Sequence, residues 1–205
     1  MIKLPQHFLS AFSPYHDYWA VYGGWRAILK SPYVLIALAL TIIMSGLWTK
    51  ENWWDNPLSV LPNLVGFTLS GVAVLTGWSN NRFVSKLMGR SKEGKEGPFV
   101  SVVATFTHFL LVQIIALLLA LIAKSRPLAN IPDEWWAWST THLPILSDVR
   151  MVLGHVFWFF SFAVFVYAIL LTAAATVGIF WFARWSDRAH EREATEHPGA
   201  PGKDA

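Results

Sequence analysis

The chain has no cysteine at any of its 205 positions. That absence excludes a disulfide framework, thiolate metal sites and thiol-based catalysis. Charge is the second scarcity: Asp, Glu, Lys and Arg make up 14% of the chain, against about 25% in an ordinary soluble domain. The shortage is concentrated in four stretches that hold none of these residues. They are Ser31–Thr49, Asn56–Trp78, Pro98–Ala123 and Met151–Ala183, with 19, 23, 26 and 33 residues. About 20 apolar residues in a helix cross a bilayer core, and backbone amides facing lipid must be satisfied within the segment. The sequence therefore predicts an all-α, polytopic integral membrane protein with four transmembrane helices. The missing charge also argues against a proton pump, a voltage sensor or a carrier of charged substrates, each of which keeps ionisable groups within its spans.

What charge remains lies between and beyond the spans. Twelve Lys and Arg fall in the N-terminal segment, the second loop and the C-terminal tail, and four in the first and third loops. The positive-inside rule then places both termini and the loop Arg82–Lys95 in the cytoplasm. Residues 1–30 mix aromatic and polar groups as an interfacial segment does, residues 31–185 form the bundle, and residues 186–205 read as a disordered cytoplasmic tail. Trp48, Trp53, Trp54, Trp135, Trp136 and Trp138 mark the outer boundary; Trp19, Trp25, Trp78, Trp181 and Trp185 mark the inner one. Within the long outer loop, Asp133–Trp138 suggests a short surface helix. Pro62 predicts a kink in the second span. The expected location is a bacterial inner membrane, and membrane lipids are the first partners.

Small and polar residues break the apolar pattern. Ser59, Asn63, Gly66, Ser70, Ala73 and Gly77 are separated by 4, 3, 4, 3 and 4 positions, which confines them to an arc of about 80° on a helix turning 100° per residue. In the fourth span Gly154, Ser161, Ala168 and Ala175 recur every seven residues. Lipid supplies no hydrophobic drive for helix association, so such seams mark close packing, either between these helices or with a second copy. The second-span seam also offers hydroxyl and amide groups of the kind that line narrow pores.

Three further polar residues sit within spans: His108, Gln113 and His155. The two histidines differ by about 10 Å in expected depth, too far to share a zinc whose ligands stand about 2 Å from the metal. Gln113 is placed to hydrogen-bond His155. His108 shares a face with Ser101 and Thr105, which suggests a wet cytoplasmic half. Ser70 with a histidine loosely suggests an intramembrane hydrolase, but four spans provide little scaffold to enclose water. There is no metal-spaced carboxylate pair, phosphate-cradling glycine loop or HExxH. The reading is a non-enzyme without cofactor or metal and without affinity for nucleic acid. It self-associates through the second span as a small pore or membrane effector. The alternative is an anchor recruiting a cytoplasmic protein through Arg82–Lys95 or the termini.

The run Leu61-Pro-Asn-Leu-Val-Gly-Phe-Thr-Leu-Ser-Gly71, continuing to Asn80-Asn-Arg-Phe83, resembles a segment shared by small bacterial four-helix membrane proteins of unassigned biochemistry. Some proteins of that size and topology are similar to membrane components of anti-phage defence loci. Together with Tyr22-Gly-Gly-Trp25 the resemblance covers about 30 residues, and it implies no catalytic position.

Overall fold

The computed structural model describes residues 6–77, 97–126 and 145–196, and every element among them is helical. In chain order these are α1 (Gln6–Tyr22), α2 (Gly24–Lys30), α3 (Pro32–Ile43), α4 (Ser45–Trp48), α5 (Asp55–Gly77), α6 (Pro98–Ser125) and α7 (Ile145–Glu196). The loop Arg82–Lys95 and the expected surface helix Asp133–Trp138 lie outside the described residues.

Three helical segments are long and apolar enough to cross a membrane: Asp55–Gly77, Phe99–Ser125 and Met151–Trp185. The first expected span, residues 31–49, is not one helix. α3 covers 12 residues and ends at Met44, where the backbone leaves helical geometry (φ −85°, ψ 20°), and α4 adds a single turn. α2 and α3 taken together across their 55° bend pass the same test of length and composition, which brings the number among the described residues to up to four. That bend has a local cause. Ser31 precedes Pro32, and the proline ring drives its neighbour out of the helical region into the extended one (φ −69°, ψ 124°). A second break separates α1 from α2 at Gly23 and Gly24, both with positive φ. A Cβ on Gly24 would stand 3.2 Å from the Trp19 indole nitrogen, so both conformation and space favour glycine there.

The other long helices run on past the positions that the sequence singled out. α5 runs unbroken through Pro62. α7 extends to Glu196, so the expected tail is helical from 186 to 196. Its apolar stretch alone exceeds the bilayer thickness, and the charged continuation projects beyond it.

α6 packs between α5 and α7, and α7 also touches α3 and α5. α1 lies against α6. The core is made of short side chains at the helix contacts, among them Ala116, Ala120 and Ala123 of α6 and Ala168 and Ala175 of α7, with Phe162, Leu171, Leu61 and Leu75 filling the space around them. Small residues allow the close backbone approach that replaces hydrophobic drive in lipid. At one end, Lys124 pairs with Asp55 at 3.2 Å and Arg126 with Glu51 at 3.1 Å. These pairs clip the end of α6 to the start of α5, so the two run antiparallel. At the same end Trp53 and Trp54, expected in the outer aromatic belt, turn inward against Phe162 and Trp158 at ring distances of 5.8 and 5.9 Å. Arg126 covers Trp54 from outside at 5.3 Å.

Candidate functional site

Three polar features stand out, each built from residues that the apolar pattern leaves over. The first is centred on Gln113, which is fully buried. Its Nε2 donates to Thr68 Oγ1 and Thr172 Oγ1, both at 2.9 Å. Each threonine in turn donates its own hydroxyl hydrogen to a carbonyl one turn back, Leu64 or Ala168. That leaves an oxygen lone pair to accept from the amide. One side chain therefore ties α5, α6 and α7 together. Among the described residues, Gln113 Oε1 and the buried Ser161 Oγ have no hydrogen-bond partner.

His155 does not join this node. It was expected among the buried polar groups and opposite Gln113; it is exposed, with Nδ1 2.9 Å from the Met151 carbonyl of its own helix. The amide of Gln113 finds threonines at its own level instead. Thr68 was not singled out because it lies on the face of α5 opposite the seam. A lone threonine there is weak as a sequence signal, although it is the one polar side chain on that face.

The second feature surrounds His108, also buried. Tyr18 Oη stands 2.8 Å from His108 Nδ1, and Tyr167 Oη 3.4 Å from Nε2. Tyr22 stacks on the imidazole with 3.9 Å between ring centres. Burial first, and the neighbouring Tyr22 second, push the Tyr18 phenol up to about 12. Burial also raises Tyr22, partly offset by its hydrogen bond with Tyr167. A neutral Tyr18 hydroxyl donating to Nδ1 is consistent with the imidazole proton on Nε2, facing Tyr167. Ser101 and Thr105, expected to form a wet face with His108, instead direct their hydroxyls to Gly97 and Ser101 carbonyls. Tyr18 and Tyr22 escaped the sequence reading because they belong to a segment read as interfacial, 90 residues away in the chain for Tyr18.

The third feature is the pair of small-residue seams, and they have opposite fates. Ser161, Ala168 and Ala175 of α7 are buried within the bundle, with Gly154 half-buried towards its end. All six residues of the α5 seam, Ser59, Asn63, Gly66, Ser70, Ala73 and Gly77, are exposed. A Cβ added to Gly66 or Gly77 meets nothing within 4 Å. The inward face of α5 is made by Pro57, Leu61, Thr68, Gly71 and Leu75. Gly71 is the glycine that accommodates close packing: a Cβ there would stand 3.3 Å from Ile179 and 3.4 Å from Phe106. The two seams therefore do not pack against each other within one chain.

Along the α5 seam, Ser59 and Ser70 donate their hydroxyl hydrogens to the Asn56 and Gly66 carbonyls at 2.9 Å. Among the described residues, Asn63 makes one long contact, 3.5 Å, to the Ser59 carbonyl. Among the described residues no three His, Asp or Glu side chains converge as metal ligands would. No family model, no curated protein and no solved structure matches this chain.

Proposed function

We propose that this protein is a non-enzymatic, self-associating component of the bacterial inner membrane. It crosses four times, with α2 and α3 together as the first crossing and both termini in the cytoplasm, and α5 of one copy packs on α5 of another. The observation that carries this reading is the exposure of all six seam residues along the full length of α5. A ridge of small groups facing hydrocarbon gives up dispersion contacts that bulky side chains would make there, whereas against a second helix it permits close backbone approach. Asn63 adds to this: its amide, poorly satisfied within one copy, gains a hydrogen-bond partner across such a contact.

The Ser59 and Ser70 hydrogens are committed to the helix backbone, so the ridge offers few donors to a passing anion, while the hydroxyl oxygens keep lone pairs. The role proposed for the seam is packing, and conduction is an outcome of the test below. Membership in a defence-type effector assembly is compatible with this arrangement and adds nothing to the seam itself.

The cysteine-free chain makes the test direct. Ala73→Cys places a unique thiol on the seam, and Leu118→Cys places one on the exposed face of α6. In a two-fold dimer through α5, oxidation in membranes crosslinks the first and not the second, and adding Gly66→Leu with Ser70→Leu abolishes the crosslink. Equal crosslinking of both thiols, or none of either, overturns the proposal. Ion flux through liposomes that vanishes with Gly66→Leu would reassign the seam from packing to conduction.

A further inference from the structure

Independently of the seam, a cavity lies on the other side of the bundle. α3 and α6 both border α7 there, yet they make no contact with one another. The space left between them has a volume of about 860 Å³, within the range of small-molecule sites. Ala163 and Val164 of α7 form its floor, Ala37 of α3 and Ile115 of α6 its sides, and Tyr18 and Trp19 of α1 close one end. The walls are almost wholly apolar. Of the polar side chains that line it, Tyr18 and His108 are bonded to each other, and His16 stands at the exposed lip.

We propose that this cavity is a binding site for a single long fatty acyl chain, which enters between α3 and α6 with its polar end beside His16. Three observations converge on that chemistry. Its walls are apolar and its inner polar groups, Tyr18 and His108, are paired, so water gains little there, while an apolar guest supplies the dispersion contacts that the open walls lack. The walls Ile115 and Ala163 belong to the spanning segments Phe99–Ser125 and Met151–Trp185, so the surrounding medium at that depth is hydrocarbon. One end alone carries an accessible polar side chain: His16 lines the cavity and is 86% exposed, beside Asp17. An amphiphile with one tail matches a site that is apolar along its length and polar at one lip.

The test uses the purified full chain in detergent micelles, irradiated with palmitic acid bearing a mid-chain diazirine. Labelling is expected in the peptides around Ile115 and Ala163. Filling the cavity with Ala163→Phe or Ile115→Trp lowers that labelling by about tenfold, equivalent to roughly two methylenes of buried chain. Val177→Phe, on an exposed face of α7, leaves it unchanged. Ile115 is itself half-exposed, so Ile115→Trp decides the matter should Ala163→Phe fail to fold. Competition by unlabelled palmitate or by a lysophospholipid then identifies whether the chain arrives as a free acid or on a headgroup. Labels spread over every lipid-facing helix in proportion to exposure, or undiminished by both cavity-filling changes, overturn the proposal.

Discussion

The α5 and α7 seams use the same residue types and nearly the same helical spacing, yet one faces out of the bundle and the other into it. On α7, Ala168 sits with no exposed surface inside the bundle. On α5, Gly66 has open space where a side chain would stand, and the inward face of the helix is the opposite one. Small residues in register state that something approaches the backbone closely; they do not state what. The decision is made by the rest of the helix. Leu61, Thr68, Gly71 and Leu75 provide a better inward surface than the seam does, because Thr68 reaches Gln113 and Gly71 admits Phe106 and Ile179.

This contrast breaks down if paired substitutions behave alike. Ala168→Leu forces extra volume into a closed contact and is expected to destabilise the monomer by about 3 kcal/mol. Gly66→Leu is expected to change monomer stability by less than about 0.5 kcal/mol while abolishing self-association. Thermal unfolding in detergent and crosslinking in membranes measure the two effects separately. Within α5 alone, Gly71→Leu meets Ile179 and Phe106 and should cost about 2 kcal/mol, although flexible neighbours absorb part of the strain. Equal melting temperatures for the Gly66 and Gly71 variants would mean that the helix is rotated from the orientation described.

A smaller effect sharpens the inward side of the comparison. Gln113→Leu removes two hydrogen bonds but also the unpaired Oε1, and an average membrane hydrogen bond contributes about 0.6 kcal/mol. The expected loss is therefore about 1 kcal/mol, seen as a lower melting temperature with the fold retained. The smallest effect concerns α1. The folded protein holds the Tyr18 proton above the ordinary phenol value of 10.0, up to about 12. Its contribution is therefore complete below pH 10 and is lost as pH rises through 12. Protease sensitivity of α1 should rise over that alkaline window, and Tyr18→Phe should remove the pH dependence of that segment.

Much of the architecture was legible from where charge is missing, because the bilayer imposes a length on every uncharged run. α5, α6 and the apolar part of α7 follow the runs closely. The break at the first apolar run was harder to read, since that run contains Pro32 and Gly46 and the periodicity alone does not place the breaks. Helix rotation was not legible either: Thr68 and Gly71 outweigh six seam residues only once Gln113 and Phe106 are in place. His108 was noticed as a polar residue in a span, but its partners Tyr18 and Tyr22 sit in a segment whose composition suits the headgroup zone equally well. His155 carried the same sequence signal as His108 and is exposed, in a stretch of α7 where Met151, Val152, Leu153 and Val156 are exposed as well.

The Tyr18–His108 bond joins parts of the polypeptide made far apart in time. While the ribosome is still producing α5, α1 has emerged without the imidazole it later holds. It must wait for that partner until α6, the second of the three long helices, enters the membrane. A chain that stalls before residue 108 would therefore leave its beginning open to quality-control proteases, and completion of that helix would end the exposure.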